Sequence, residues 1–369
     1  MLAGLGPDPG PSVLAAAGLV ASHWPAPWGL GADPVLQLVV DEELTAAGFV
    51  LPDNPIGIGW AGPTLLAAGT PEQQARWLPG ILSGADFWCQ LFSEPDAGSD
   101  LAALTTKAVR DGEVYVLNGR KCWNTWAERA SHGILLARTA PVGGGPRHRG
   151  ISYFVCPMDL PGIEVRVLTE MTGGHHFTEV TFDEVQLPVD CRVGAEGEGW
   201  KLARVTLGNE RVSLSTGGVV WGMGPTGDEF LDAVRHRAFD TPAHRAPTDD
   251  PVTRQRIARV ATEVHIQRLL GWRILTTAIH DGGGEPGPEA SVKKALGDEH
   301  GQHVMGLAKD LGGAAGMLGE QTEAAKDDDV WHWGYLFAPA LTIGGGTSEV
   351  QRNIVAERIL GLPREMPMD

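Results

Sequence analysis

Residues 112–123, GEVYVLNGRKCW, have the β-branched and aromatic content of a β-strand and begin at a turn-forming Gly. Similar short runs follow at 151–158 (ISYFVCPM), 162–168 (GIEVRVL) and 178–187 (TEVTFDEVQL). Gly, Pro and Asp separate these runs, and no interval between them has the pattern of a crossover helix, which parallel strands need. The pattern predicts an antiparallel β-sheet domain over residues 86–193.

Helical patterns flank the sheet on both sides. Before it, residues 33–49 have apolar side chains at helical spacing, and Thr70 and Pro71 supply an N-cap and a first helical residue. After it, long helical segments at 201–220, 251–279, 289–311 and 347–360 predict a four-helix bundle. We therefore predict an α+β protein with an N-terminal α-helical domain (1–85), the sheet domain, and a C-terminal four-helix bundle (194–369). This α, β, α order excludes a doubly wound nucleotide-binding fold.

Composition narrows the class of protein. The chain has 369 residues, 43% of them hydrophobic, and a formal net charge of −17. Clustered Lys and Arg are absent, which argues against nucleic-acid binding. No apolar run has the length of a membrane span, and the first residues lack the basic region of a signal peptide. We expect a soluble, cytoplasmic protein.

Metal and disulfide chemistry are not expected. Cysteines occur singly and predict small buried thiols; they are Cys89, Cys122, Cys156 and Cys191. His175 and His176 would point to opposite faces of a strand, and His300 and His303 lack a second group of ligands. The sequence therefore predicts no metal site.

Five segments resemble the acyl-CoA dehydrogenase family. They are FSEPDAGSDLAALTTKAV (92–109), GRKCWNTWAERASHGILLART (119–139), MTGGHHFTEVTFDEVQLP (171–188), VGAEGEGW (193–200) and GGGTSEVQRNIVAERILGLPR (344–364). The resemblance runs from about residue 35 to residue 363 and implies an N-terminal domain shortened by about one helix. It implies an FAD-dependent oxidoreductase of lipid metabolism that converts an acyl-CoA to the trans-2-enoyl-CoA and passes electrons to an electron-transfer flavoprotein.

The resemblance also implies which residue is the catalytic base. Removing the weakly acidic proton next to a thioester needs a positioned carboxylate. Many family members carry Glu immediately before the Gly-Thr of the C-terminal motif, where this chain has Gly345. Other members carry the base on a helix, immediately before an Arg, and Glu210 with Arg211 matches that subgroup. The alternative is that Glu210 is a solvated helix residue paired with an Arg.

Cofactor and substrate contacts are implied in the same way. FAD binding is expected from Gln90, Leu91, Phe92, Ser93, Trp123, Asn124, Thr125, Thr347 and Glu349. For Leu91, an ordinary half-buried strand residue is the preferred alternative. Asp310 and Gly313 match a segment that reaches the ADP half of FAD in a neighbouring subunit, and Ser99 and Arg211 match substrate-binding positions.

The oligomer and the activity have alternatives. Sharing of the FAD site implies a homodimer or homotetramer. Gly345, together with the unusual Asn124 and Trp126, leaves open a non-catalytic or half-site subunit of a heteromer with a related chain. A flavin oxidase or monooxygenase of the same fold also remains an alternative, because fold alone does not determine function.

Overall fold

The computed structural model describes residues 9–141, 143, 145–214, 218–236, 238–239, 247–280, 287–314 and 329–364. The chain forms two compact units, Met1–Asn209 with Ala278–Glu285, and Glu210–Thr277 with Pro286–Asp369. The boundary near the middle of the chain lies within a helix, between Asn209 and Glu210.

Helices open the N-terminal unit, as predicted. They are α1 (Pro11–Ala16), α2 (Pro34–Ala46), α3 (Gly62–Ala68) and α4 (Pro71–Ser83). The predicted N-cap of α4 is confirmed: Thr70 Oγ1 accepts from Gln73 N at 3.3 Å, and Thr70 N donates to Gln73 Oε1 at 3.0 Å. This reciprocal pair satisfies two backbone N–H groups that the helix cannot bond itself.

The sheet follows in the same unit. Its strands are β1 (Trp88–Leu91), β2 (Lys107–Asp111), β3 (Val114–Thr125), β4 (His132–Arg138), β5 (Ile151–Pro157), β6 (Ile163–Leu168), β7 (Phe177–Pro188) and β8 (Arg192–Val193). Their order is β6-β7-β3-β2-β4-β5-β8, with β1 beside β4. The pairing is antiparallel except that β4 runs parallel to β1 and, through one residue pair, to β2. The β2–β3 hairpin separates β1 from β4 along the chain, so these two strands are not joined by a tight turn.

A hydroxyl cluster in the N-terminal unit fixes the first part of the next helix, α5 (Gly199–Leu214). Thr206 Oγ1 lies 3.0 Å from Tyr153 Oη and 2.8 Å from Thr64 Oγ1, and all three residues are buried. These contacts join α5 to β5 and α3. They fix the part of α5 that belongs to the N-terminal unit.

Helices make up the C-terminal unit, and the four predicted helical segments are confirmed. The described helices after α5 are α6 (Gly227–Arg235), α7 (Pro251–His280), α8 (Glu289–Gly312), α9 (Asp329–Phe337) and α10 (Ser348–Ile354). Two of them, α6 and α9, were not predicted. They pack together at the core of this unit, where the ring centroids of Phe230 (α6) and Trp331 (α9) are 5.8 Å apart. The first predicted segment extended to Val220, whereas residues 218–223 form a tight turn. Gly222 has φ +78°, which helices do not use.

Cysteine burial, helix length and histidine contacts complete the description of the fold. All four cysteines are free and buried, as predicted. No helix in the described ranges combines the length and apolarity that crossing a bilayer requires. Within those ranges, no three His, Cys, Asp or Glu side chains converge as metal ligands. His300 and His303 instead both bond to Glu263, with Nδ1–Oε2 distances of 3.0 Å.

Candidate active site

Glu210 lies near the end of α5 with only 6% of its surface exposed. Its Oε1 is 3.5 Å from the point that a Cβ on Gly345 would occupy. Gly345 has φ +63°, a conformation that L residues rarely adopt, and the same Cβ would lie 2.6 Å from Leu214 Cδ1. The carboxylate from α5 therefore fills the space beside position 345, while position 345 itself has no room for a side chain.

A buried ion pair on α8 holds the glycine loop at 344–346. Lys294 Nζ donates to Asp298 Oδ2 at 2.6 Å, to Gly344 O at 2.7 Å and to Gly346 O at 3.1 Å. Lys294 is 1% exposed and Asp298 is 4% exposed. Burial raises the pKa of the Asp298 carboxyl to about 6, although the Lys294 ammonium opposes that shift.

The helix that follows the loop holds it from the other side. Gln351 is fully buried, and its Nε2 donates to Gly345 O at 2.9 Å and to Gly346 O at 3.1 Å. The carbonyl oxygens of all three loop glycines therefore have donors. Thr347 caps α10, since its Oγ1 accepts from Val350 N at 3.3 Å. Glu349 is exposed, and its own N–H and the Thr347 hydroxyl lower the pKa of its carboxyl.

Arg211 follows the candidate base and is half-buried. Burial lowers the pKa of its guanidinium, and the neighbouring Glu210 carboxylate opposes that shift. Its Nε–H is buried and has no acceptor in the part of the chain that the structure describes. A buried donor of this kind is costly unless a ligand supplies the acceptor.

Asn124 links the two predicted flavin segments of the N-terminal unit. Its Nδ2 donates to Gln90 O at 2.7 Å, and its backbone oxygen accepts from Thr178 Oγ1 at 2.9 Å. A β-bulge between Cys122 and Asn124 turns Trp123 outward, where it is 65% exposed with φ +60°. The bulge leaves Asn124 buried beside β1, with 1% of its surface exposed.

A second buried ion pair supports these segments. Lys121 Nζ donates to Glu94 Oε1 and to Phe92 O, both at 2.9 Å. Glu94 also accepts from the backbone N–H groups of Thr105 and Thr106. Burial alone would raise the pKa of the Glu94 carboxyl, but the Lys121 ammonium and these donors lower it to about 2. The pair fixes the backbone at residues 92–94.

The other predicted flavin residues differ in accessibility. Leu91 and Phe92 are buried, so their side chains pack in the core, in agreement with the alternative preferred for Leu91. Gln90, Ser93 and Thr125 are half-buried. Side-chain contact with a ligand is therefore open to the half-buried residues, and the two buried ones can offer backbone groups.

Three further predicted residues lie on exposed surface. Ser99 is exposed in the loop after β1. Asp310 forms a 2.6 Å ion pair with Arg256, and Gly313 follows the end of α8 with φ +55°. These positions suit contacts to a large ligand or a second chain, but no buried site is formed around them by the described residues of their own unit.

Trp126 has the same unusual backbone as Trp123, with φ +50°. The Arg129 guanidinium lies 4.3 Å from its ring centroid and 3.9 Å from that of Phe87. Arg129 thus lies over both aromatic rings, whose centroids are 6.0 Å apart, a favourable arrangement for a delocalised cation. This cluster fixes the turn that follows β3.

The residues present fit the isoalloxazine ring of FAD. Asn124 Oδ1 is buried and has no donor within the described ranges. An isoalloxazine edge offers an N–H donor and carbonyl acceptors, and the half-buried Thr125 hydroxyl lies one residue further along the strand. Asn124 would accept from the ring, and Thr125 would donate to it.

Sequence reasoning missed the two buried ion pairs. The Lys-x-x-x-Asp spacing of Lys294 and Asp298 places both on one helix face and was available as a signal. Lys121 and Glu94 are distant in sequence and had no such signal.

Comparisons with known proteins all point to one family. Three family descriptions match the chain in order: "Acyl-CoA dehydrogenase, N-terminal domain" over residues 12–85, "middle domain" over 89–185 and "C-terminal domain" over 197–360. Acyl-CoA dehydrogenase FadE34 of Mycobacterium tuberculosis is 42% identical over 351 residues, covering 95% of this chain and 46% of that protein. The chain thus spans about half the length of FadE34.

Two further matches cover most of both partners. Acyl-CoA dehydrogenase IpdE1 of M. tuberculosis is 39% identical over 354 residues, covering 95% of this chain and 87% of that protein. A chain of the ChsE4-ChsE5 complex from M. tuberculosis superposes with a TM-score of 0.80 at 32% identity, covering 96% of this chain and 89% of that one.

Proposed function

This chain belongs to the acyl-CoA dehydrogenase family of oxidoreductases, and from that premise we propose that it oxidises an acyl-CoA thioester to the trans-2-enoyl-CoA with FAD as cofactor. The family is known to bind FAD and to act on CH–CH groups. The observation that carries the proposal is the buried carboxylate of Glu210 beside the side-chain-free position 345.

Glu210 is assigned the role of general base. A carboxylate that is shielded from water is poorly solvated, and this makes it a stronger base. A positioned base contributes about 10²–10⁴-fold to a proton-transfer step. Glu210 would take the proton from the α-carbon of the acyl group. Arg211, whose Nε–H lacks an acceptor in the described structure, would donate to a substrate oxygen.

The N-terminal unit is assigned the flavin. Bound FAD supplies the acceptor for the hydride that leaves the β-carbon. Gln90, Asn124 and Thr125 would hold the ring edge, and the buried Asn124 Oδ1 would accept a hydrogen bond from it. Asp310 and Gly313 are proposed to reach the ADP half in a neighbouring subunit, and electrons are proposed to leave through an electron-transfer flavoprotein.

A heteromer is the second candidate. A solved relative, the ChsE4-ChsE5 complex, contains two named proteins. This observation favours an assembly in which this chain pairs with a related one. In that assembly, this chain would contribute half of a composite cofactor site.

Anaerobic absorbance titration tests the activity. The FAD-loaded protein is mixed with short, branched, long and steroid side-chain acyl-CoA thioesters, alone and after co-expression with a related chain. We expect at least one thioester to bleach the oxidised flavin band and yield the enoyl product. Bleaching only after co-expression supports the heteromer, rapid oxygen use indicates an oxidase, and no bleaching in any mixture contradicts the proposal.

A further inference from the structure

We propose that Lys294, with Asp298 as its counter-charge, is a positioning residue that holds the 344–346 loop against the Glu210 carboxylate. The proposal rests on the proposed role of Glu210 as the base. Lys294 does not itself contact substrate in this account; it acts through the loop.

Lys294 and Glu210 both lie close to position 345. A Cβ on Gly345 would lie 3.0 Å from Lys294 Cε and 3.5 Å from Glu210 Oε1. Those two atoms are therefore within about 6.5 Å of each other, because both distances are measured from one point. The lysine stem and the glutamate carboxylate both border position 345.

The hydrogen bonds of Lys294 are directed at the loop. Beyond Asp298, its acceptors are the backbone oxygens of Leu341, Gly344 and Gly346. Gly345 and Gly346 both have positive φ, and consecutive glycines have more conformational freedom than any other residues. A fixed ammonium that bonds both ends of such a loop removes that freedom.

A stabilising role alone poorly explains the buried ion pair of Lys294 and Asp298. Taking an ammonium and a carboxylate out of water offsets most of their attraction, so a buried pair is weak evidence for stabilisation. Its placement is better explained by the loop. A displacement of about 1 Å near a reacting group can reduce the rate about 100-fold, so a loose loop would disturb the base.

Lys294→Met tests the proposal, with Lys293→Met as the matched control. Lys293 is the adjacent residue of α8, is half-buried, and makes no hydrogen bond to the loop. Amide hydrogen exchange of a peptide spanning 341–351 and steady-state kinetics are measured for both FAD-loaded variants. For Lys294→Met we expect at least tenfold faster exchange in this peptide and about 100-fold lower kcat. KM should change less than threefold, the flavin should be retained, and Lys293→Met should behave as the wild type.

The outcomes separate this proposal from the proposed function. Unchanged exchange and unchanged kcat in Lys294→Met would overturn it, and so would an equal effect in Lys293→Met. If the wild type bleaches with no thioester, the function fails, whereas the exchange measurement still decides the role of Lys294 in the loop. If Lys294→Met does not fold, Asp298→Asn is used: it keeps an oxygen acceptor but removes the counter-charge. Faster loop exchange in Asp298→Asn supports the proposal, and wild-type exchange contradicts it.

Discussion

Glu210 Oε1 lies 3.5 Å from the place where residue 345 would carry its Cβ. In the family that the chain resembles, the base projects from one or the other of these two positions. This proximity supports the proposal that a carboxylate on helix α5 can serve in place of one on the loop. Gly345 is favoured at this position because a side chain there would clash with Leu214 in a backbone conformation with φ +63°.

Gly345→Ala should destabilise the protein by about 1–3 kcal/mol. Alanine would have to adopt the backbone conformation with φ +63°, and its methyl group would lie 2.6 Å from Leu214 Cδ1. Gly306→Ala is the control, because a Cβ there meets no described heavy atom within 4 Å and Ala favours the helix by roughly 0.5–1 kcal/mol. Urea unfolding measures both. Equal stability of the two variants would show that position 345 accepts a side chain.

Asn124→Ala should weaken FAD binding by about tenfold. The substitution removes the 2.7 Å bond to Gln90 O and the buried Oδ1 acceptor, and a hydrogen bond contributes about 1 kcal/mol net. Asn118→Ala, on the same strand, removes a bond to Glu184 in an exposed part of the strand and should leave affinity unchanged. Fluorescence titration of the apoprotein with FAD compares them. Equal affinities in both variants would remove Asn124 from the flavin site.

Glu94→Gln should make the free energy of unfolding less dependent on pH in the acid range. The folded-state pKa of Glu94 is about 2 and its ordinary value is 4.5. The folded state therefore binds fewer protons than the unfolded state between these values. This contribution to stability is complete above about pH 4.5 and is lost as the pH falls towards 2. Urea unfolding at intervals from about pH 7 to about pH 3 should show a steeper loss in the wild type than in the variant. Parallel profiles would mean that Glu94 does not titrate with folding.

Local signals predicted much of the fold. Thr70 and Pro71 set the start of α4 because a cap acts within one turn of helix. Alternating side chains predicted the strands, but the parallel pairing of β1 with β4 depends on distant parts of the chain. Helix α6 has a capping box at Thr226 and Glu229 that the sequence displays and that was overlooked. Helix α9, DVWHWGYLF, lacks a polar face and gave no clear period.

The candidate site was predictable only in part. Motifs predicted roles for Glu210 and Asn124, since each lies in a short recognisable segment, and these roles stay predictions. Burial and pairing were not predictable: Lys294 and Lys121 belong to residue types that are mostly exposed, and both are buried here by partners elsewhere in the chain.

We propose that the Glu210 carboxylate removes the substrate proton. Glu210→Gln keeps the shape of the side chain and removes its basicity, and Glu210→Asp keeps a carboxylate on a shorter stem. Both variants, loaded with FAD, are mixed anaerobically with a thioester that bleaches the wild type. We predict that Glu210→Gln retains bound flavin and bleaches at least about 1,000-fold more slowly, with Glu210→Asp in between. Bleaching of Glu210→Gln at the wild-type rate would contradict the account.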